Sequence, residues 1–192
     1  EDRSEADPQA LRESALAESR IYTVLQGLPV SHPEYYGYVE GELEGFGWLF
    51  LGDAAGEVFV PEDPRQRQAA TRWLAELHVS SSRTSGASSL PDHGPALYRE
   101  HLRGGLAAIE CIHASLEITA GENDLLNDVK GWLELVASCW GDIEAICTAM
   151  PRALVHGDFA SRNIRVQRRG VEEVSLLVFD WEVAGWGMPG ID

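Results

Sequence analysis

The chain has 192 residues, 44% of them apolar and 24% charged, with a formal net charge of −16. That length can bury one substantial core, divided at most into two small lobes, and the composition is that of an ordinary globular protein. The charge argues against nucleic acid or an anionic membrane as partner, and no run approaches the roughly 18–20 uninterrupted apolar residues of a membrane span. Acidity suits either simple solubility or a cationic substrate. Three cysteines, Cys111, Cys139 and Cys147, are odd in number and scattered over helical segments. They read as buried free thiols in a reducing cytoplasm rather than as disulfides. No basic-then-apolar signal sequence opens the chain, in keeping with a cytoplasmic location.

Asp7-Pro8 is a helix start, with Asp as N-cap and Pro in the first turn. Leu11, Ala15, Tyr22 and Leu25 then recur on one helical face, which Gly27 closes. Glu18 falls in the same stripe. A carboxylate facing inward needs a partner, because a buried unpaired charge is costly; otherwise it marks the edge of the apolar face. Residues 35–39 and 46–51 read as the strands of a hairpin joined by residues 40–45. Gly52-Asp53-Ala54-Ala55 breaks the second strand. Asp63-Pro64 opens another helix reaching about Val79, with Ala70, Trp73, Leu74 and Leu77 on its apolar side. Residues 80–95, rich in Ser, Gly and Pro, predict a mobile connection. Two long helices follow, over roughly 96–118 and 123–149, and their Leu, Ile, Ala and Trp residues are core by default. No internal repeat interrupts this order.

The last forty residues carry the chemistry. Leu154-Val-His156-Gly157-Asp158 is followed by Asn163, five residues beyond the Asp, and then by Phe179-Asp180-Trp181-Glu182. An Asp can accept the proton of an attacking alcohol, while an Asn oxygen and a second Asp suit a hard divalent cation. Residues 164–167 and 174–179 predict two strands with residues 168–173 turning between them. In an antiparallel hairpin the start of the first strand lies beside the end of the second. Asn163 and Asp180 should therefore meet around one cation, with Asp158 a few residues back on the incoming loop. Taken alone, an HGD triplet or a strand-terminal Phe-Asp is an ordinary turn; the joint spacing is what points to phosphotransfer.

The stretch from His156 to Asp192 resembles the aminoglycoside phosphotransferase and choline-kinase-like superfamily. The match lies in His156-Gly-Asp158 through Asn163, in Phe179-Asp180-Trp181-Glu182, and in the Gly/Pro-rich run ending at Asp192. The resemblance implies a protein-kinase-like α+β fold of two lobes, the second mostly helical around a catalytic-loop β-hairpin. Residues 1–55 would be a remnant of the N-lobe and residues 56–192 the core of the C-lobe. It implies Asp158 as catalytic base, Asn163 and Asp180 as Mg²⁺ ligands, and His156 and Asp192 as braces of the loop. Glu18 would be the helix carboxylate that orders a nucleotide-anchoring lysine, and Gly52, Asp53 and Ala54 the hinge whose backbone meets the adenine. Many members of that superfamily carry an acidic residue where Gly52 stands. His78 would brace a loop.

The implied activity is ATP-dependent phosphorylation of a hydroxyl on a small molecule that is aminoglycoside-, choline- or sugar-like, with GTP an alternative donor. Against a complete site stands the lysine: Lys130 is the only one in the chain, and 17 residues precede Glu18. The expectation is a fold truncated at both ends and weak or absent activity of this chain alone. The competing reading is a pseudokinase-like module that binds a nucleotide or a partner without catalysis. A metal-dependent hydrolase finds no support, since His32, His78, His93, His101 and His113 show no ligand spacing. Sequence leaves the acceptor and the oligomeric state open.

Overall fold

The computed structural model describes residues 8–41, 47–84, 89–115, 118–169 and 173–192. The Asp7 cap, Phe46, most of the 40–45 connection and the centre of the 168–173 turn lie outside them. In chain order the elements are α1 (Pro8–Leu25), β1 (Tyr35–Glu40), β2 (Gly47–Leu51), β3 (Glu57–Val58), α2 (Pro64–Ser81) and β4 (Asp92–His93). Then come α3 (Pro95–Ser115), α4 (Ala120–Ser138), α5 (Trp140–Ala149), β5 (Ala153–Val155), β6 (Ile164–Arg169), β7 (Glu173–Val178) and β8 (Gly185–Gly187). They form two compact units: residues 1–91 with 152–192, and residues 92–151. No described helix is long and apolar enough to cross a membrane.

The first unit is built on the two helices and three small sheets. On α1 the predicted face is present but shifted, with Ile21, Tyr22 and Leu25 fully buried and Ala15 only half-buried. Tyr22 stacks on Tyr35 of β1, ring centroids 5.7 Å apart. β1 and β2 pair antiparallel, Tyr38 opposite Leu49, so Tyr35, Leu49 and Leu51 pack on the core while Tyr36, Trp48 and Phe50 face outward. This is the period-two alternation of a half-buried hairpin.

Helix α2 starts as predicted, Asp63 accepting the Arg65 N–H at 2.8 Å, and buries Ala70, Trp73 and Leu77. It runs past the predicted end. Ser80 returns its hydroxyl to the Glu76 carbonyl at 2.6 Å, and the buried Ser81 hydroxyl accepts the Leu154 N–H at 3.0 Å. The serines here bond a carbonyl one turn back and an amide of β5, so a stretch whose composition suggests a loop closes the helix instead. The connection also holds a short strand, β4, so only part of 80–95 is irregular.

β6 and β7 form the predicted hairpin, Ile164 opposite Val178, and β3 adds to the free edge of β6 with Glu57 opposite Val166. β5 pairs with β8, Leu154 opposite Trp186. The buried cluster joins Tyr22, Trp73, Leu77, Ile164, Val178 and Trp181, and among the described residues none of its members comes from 92–151.

In the second unit α3, α4 and α5 pack on one another. The predicted helix over 123–149 is two helices. α4 begins earlier, where Thr119 and Glu122 form a capping box, and ends at Cys139, whose N–H bonds back to the Leu135 and Val136 carbonyls before α5 begins. The expectation that its apolar residues are core does not hold. α4 buries no residue, and Leu125 and Trp132 are 64% and 69% exposed. The stripe marks α4 as amphipathic, but its packing on α3 and α5 leaves that face uncovered within the unit. The cysteines are in no disulfide, and the expectation that they are buried does not hold: Cys111 and Cys139 are exposed and Cys147 is half-buried.

Candidate functional site

The buried strand β5 delivers His156 into the core, where the ring is fully enclosed against Trp181, centroids 4.5 Å apart. Its Nε2–H donates to the Phe179 carbonyl at 3.0 Å, and its Nδ1 accepts the Asp158 N–H at 3.3 Å. Both ring nitrogens are thus committed to backbone. Burial holds the imidazole below its ordinary pKa, with the Phe179 carbonyl and nearby carboxylates opposing, so the ring is neutral at neutral pH. Gly157 follows at φ +78°, a left-handed turn that glycine adopts without penalty. The buried Asp192 carboxylate clamps this turn. It accepts the His156 N–H at 3.0 Å, the Gly157 N–H at 2.9 Å and the His78 Nε2 at 3.0 Å.

Residues 161–163 make a 3₁₀ turn that brings Asn163 back under Asp158. The Asn163 Nδ2 donates to the Asp158 carbonyl at 3.1 Å and to its Oδ2 at 2.9 Å. With its nitrogen so committed, the amide keeps Oδ1 as an acceptor that no donor reaches among the described residues. Arg162, absent from the residues singled out in the sequence, donates from Nη2 to the same Asp158 Oδ2 at 2.5 Å. Arg165 donates to the Arg162 carbonyl at 3.0 Å and lies 4.9 Å over the Phe179 ring. The spacing of Arg162 from Asp158 gave no signal of this contact, because residues 158–160 are not helical and it is the 3₁₀ turn at 161–163 that folds the side chain onto the Asp.

The other arm of the hairpin closes the site. Phe179 N–H donates to the Asn163 carbonyl at 3.1 Å, so the two ends of the hairpin meet as predicted. Asp180 then takes φ +67°, the sole described non-glycine residue at positive φ. Trp181 is fully buried, and its N–H donates to Glu18 Oε1 at 3.1 Å. Burial raises the Glu18 carboxyl above its usual range; the Trp181 bond opposes, and the charges of Asp180 and Glu182 add to the rise. Tyr22 lies beside it, its hydroxyl raised far above the ordinary value by burial first and then by Glu18 and Asp180. Glu18 faces inward with a partner, which is a backbone amide.

Through these bonds His156, Asp158, Asn163 and Asp192 belong to one set that meets at Phe179, and Asp180 and the Glu18–Trp181 bond join it through the chain that follows Phe179. Gly52, Asp53 and Ala54 do not join it by any hydrogen bond among the described residues. Gly52 N–H bonds the Glu34 carbonyl at 2.7 Å and Asp53 is exposed. The segment continues through Gly56, where φ is +144° and a Cβ would stand 2.6 Å from the Val166 carbonyl oxygen, into β3 on the hairpin edge. A cavity of about 400 Å³ lies elsewhere, between α2 and the far half of β7, lined by Arg65, Arg72, Trp73, Glu76 and Leu176 among others. Among the described residues no cluster of three or more His, Cys, Asp or Glu is placed to hold a metal. Asn163 Oδ1 and the Asp180 carboxylate are hard oxygen donors. Two such ligands fit a magnesium ion that takes the rest of its shell from water and phosphate.

Residues 5–192 match the model of the phosphotransferase enzyme family. No curated protein sequence matches the chain. An aminoglycoside phosphotransferase of Alicyclobacillus acidocaldarius superposes with a TM-score of 0.61 at 15% identity, over 100% of this chain and 58% of that one. An aminoglycoside 2'-phosphotransferase variant in its GDP complex gives 0.63 at 15% identity, over 92% and 58%. The Plasmodium vivax ethanolamine kinase gives 0.56 at 15% identity, over 92% and 48%. The chain therefore spans about half to three-fifths of the length of these solved structures, and the likeness carries their kinase-like fold. With the family model covering nearly every residue, and the fold agreeing, this chain belongs to the phosphotransferase enzyme family.

Proposed function

We propose that the chain carries the catalytic and metal-binding core of an ATP-dependent O-phosphotransferase that acts on a hydroxyl of a small molecule. The observation that carries this reading is the Asp158–Asn163 pair, bonded at 2.9 Å at the mouth of a hairpin whose other arm presents Asp180. Asp158 accepts the acceptor's proton as its oxygen bonds the γ-phosphorus, and the bond from that phosphorus to the β-phosphate oxygen breaks, releasing ADP. Asn163 Oδ1 and Asp180 would hold Mg²⁺, which offsets negative charge on the phosphate oxygens when bound. His156 and Asp192 keep the loop rigid, since their polar atoms are spent on backbone groups and, for Asp192, on His78 as well. Glu18 fixes the Asp180 segment through Trp181. Gly52, Asp53 and Ala54 would offer backbone groups to the purine. The lobe division at 55/56 belongs to this reading.

Neighbours bearing aminoglycoside phosphotransferase and ethanolamine kinase names support an amine-bearing or sugar-like acceptor, and the GDP complex of one keeps GTP beside ATP as donor. Titration of Mg·ATP into this chain and its Asp180→Ala variant, followed by calorimetry, tests the site. Magnesium-dependent binding that the variant loses is expected; equal binding by both, or none by the native chain, overturns the assignment.

A second reading has its own observation. Glu18 is bonded to a backbone amide, and Lys130, in α4, pairs with Glu110 at 3.4 Å. Without a lysine on the phosphates, alignment of the donor suffers and turnover by this chain should be low. Nucleotide binding with no turnover that depends on Asp158 would favour a binding module without catalysis.

A further inference from the structure

Asp158 presents a problem for the donor as well as a service to the acceptor. If it takes the proton of a hydroxyl attacking the γ-phosphorus, its carboxylate stands beside a phosphoryl group carrying the same sign of charge. Like charges brought close together repel, and the repulsion grows where water is excluded. The catalytic loop contains a cation placed to offset it. Arg162 Nη2 donates to Asp158 Oδ2 at 2.5 Å, while Asn163 Nδ2 holds the same oxygen at 2.9 Å. The Arg162 side chain is 70% exposed and that of Asp158 32%, so the pair sits at the open side of the loop. Its backbone is fixed too, by the bond from Arg165 to the Arg162 carbonyl. As a surface ion pair it would add little to stability. Its effect on an incoming anion is a separate matter, because the guanidinium leaves the Asp158 site nearly neutral overall.

Resting on the phosphotransfer reading above, we infer that Arg162 is a positioning residue that neutralises Asp158 so that a nucleoside triphosphate, rather than a diphosphate, can occupy the site. The γ-phosphoryl group is what Asp158 would repel; a diphosphate ends short of it. Arg162 therefore acts on the difference between the two nucleotides, through Asp158. Holding Oδ2 with Asn163 also leaves Oδ1 of Asp158 for the acceptor hydroxyl.

The test is calorimetric titration of Mg·ATP and Mg·ADP into the native chain, Arg162→Gln, Arg162→Lys, Asp158→Asn and the Asp158→Asn/Arg162→Gln double variant. Arg162→Gln should lose on the order of three- to tenfold in Mg·ATP affinity, shrinking with added salt, and leave Mg·ADP within about twofold. Arg162→Lys should retain most of the ATP affinity, since it restores the charge. In the Asp158→Asn background Arg162→Gln should no longer discriminate. Equal losses for both nucleotides, or no loss, while the native chain binds Mg·ATP, would overturn the role of Arg162 alone. Failure of the native chain to bind Mg·ATP, or binding insensitive to Asp180→Ala, would remove the phosphotransfer reading and this inference with it.

Discussion

The Glu18 carboxylate of α1 accepts the Trp181 N–H at 3.1 Å, one residue after Asp180 and 163 positions along the chain. A helix near one end of the sequence thereby holds the segment that presents the second metal-ligand candidate. The bond is made at some electrostatic cost, because Glu18 is half-buried and stands near the charges of Asp180 and Glu182.

That cost gives a pH signature. Folded Glu18 keeps its proton to higher pH than in the unfolded chain, where its ordinary value is 4.5. Stability from this group is therefore lost as pH rises through a window opening at 4.5 and closing at the raised folded value. Glu18→Gln, which retains an acceptor for Trp181 N–H, should be more stable than the native chain at pH 7, with the difference vanishing at acid pH. Urea midpoints in magnesium-free buffer across that range measure it; a variant less stable at every pH would contradict it.

His156 titrates in the opposite sense. Its folded value lies below 6.5, so the unfolded chain takes up the proton first as pH falls. The stability it contributes is complete above 6.5 and drains away below, toward the depressed folded value. Substituting His156 by Gln should flatten that part of the stability profile and cost about 1–3 kcal/mol at pH 7, since Phe179 O and Asp158 N–H lose their fixed partner. Nitrogen NMR of the ring should report a neutral tautomer protonated at Nε2.

Asp180 separates strain from ligation. At φ +67° an alanine pays a left-handed penalty that glycine does not. Asp180→Gly should be more stable than Asp180→Ala by about 1–2 kcal/mol, while both lose magnesium-dependent nucleotide binding. Thermal melts rank the variants; equal stability would mean the backbone relaxes out of that conformation.

Ser81→Ala should cost about 1–3 kcal/mol despite lying on a helix far from the loop in sequence. Its buried hydroxyl is the acceptor for Leu154 N–H at 3.0 Å, and Leu154 belongs to the strand that carries His156. Chemical denaturation measures the loss, and Ser81→Thr offers the hydroxyl back.

Sequence carried the site further than it carried the helices. The β6–β7 register and the meeting of Asn163 with the segment before Asp180 follow from strand periodicity, because an antiparallel hairpin leaves little freedom at its mouth. Three things were not legible. Arg162 looked like any charged loop residue until the 3₁₀ turn at 161–163 folded it onto Asp158. The partner of Glu18 is a backbone amide, and backbone donors leave no trace in residue identity. The exposed stripe of α4, with Leu125 and Trp132, resembles a buried one because amphipathicity names a face without naming what covers it.

The buried cluster around Trp181 has a consequence for how the protein is made. Ile21 and Tyr22 emerge from the ribosome long before Val178 and Trp181, yet all belong to one cluster. Contacts so distant along the chain are slow to form, whereas α3, α4 and α5 can associate locally as soon as they are synthesised. β1 and β2 can pair with each other early, but β3 must wait for its partner β6, and in a nascent chain that unpaired edge is where association with the wrong neighbour would begin.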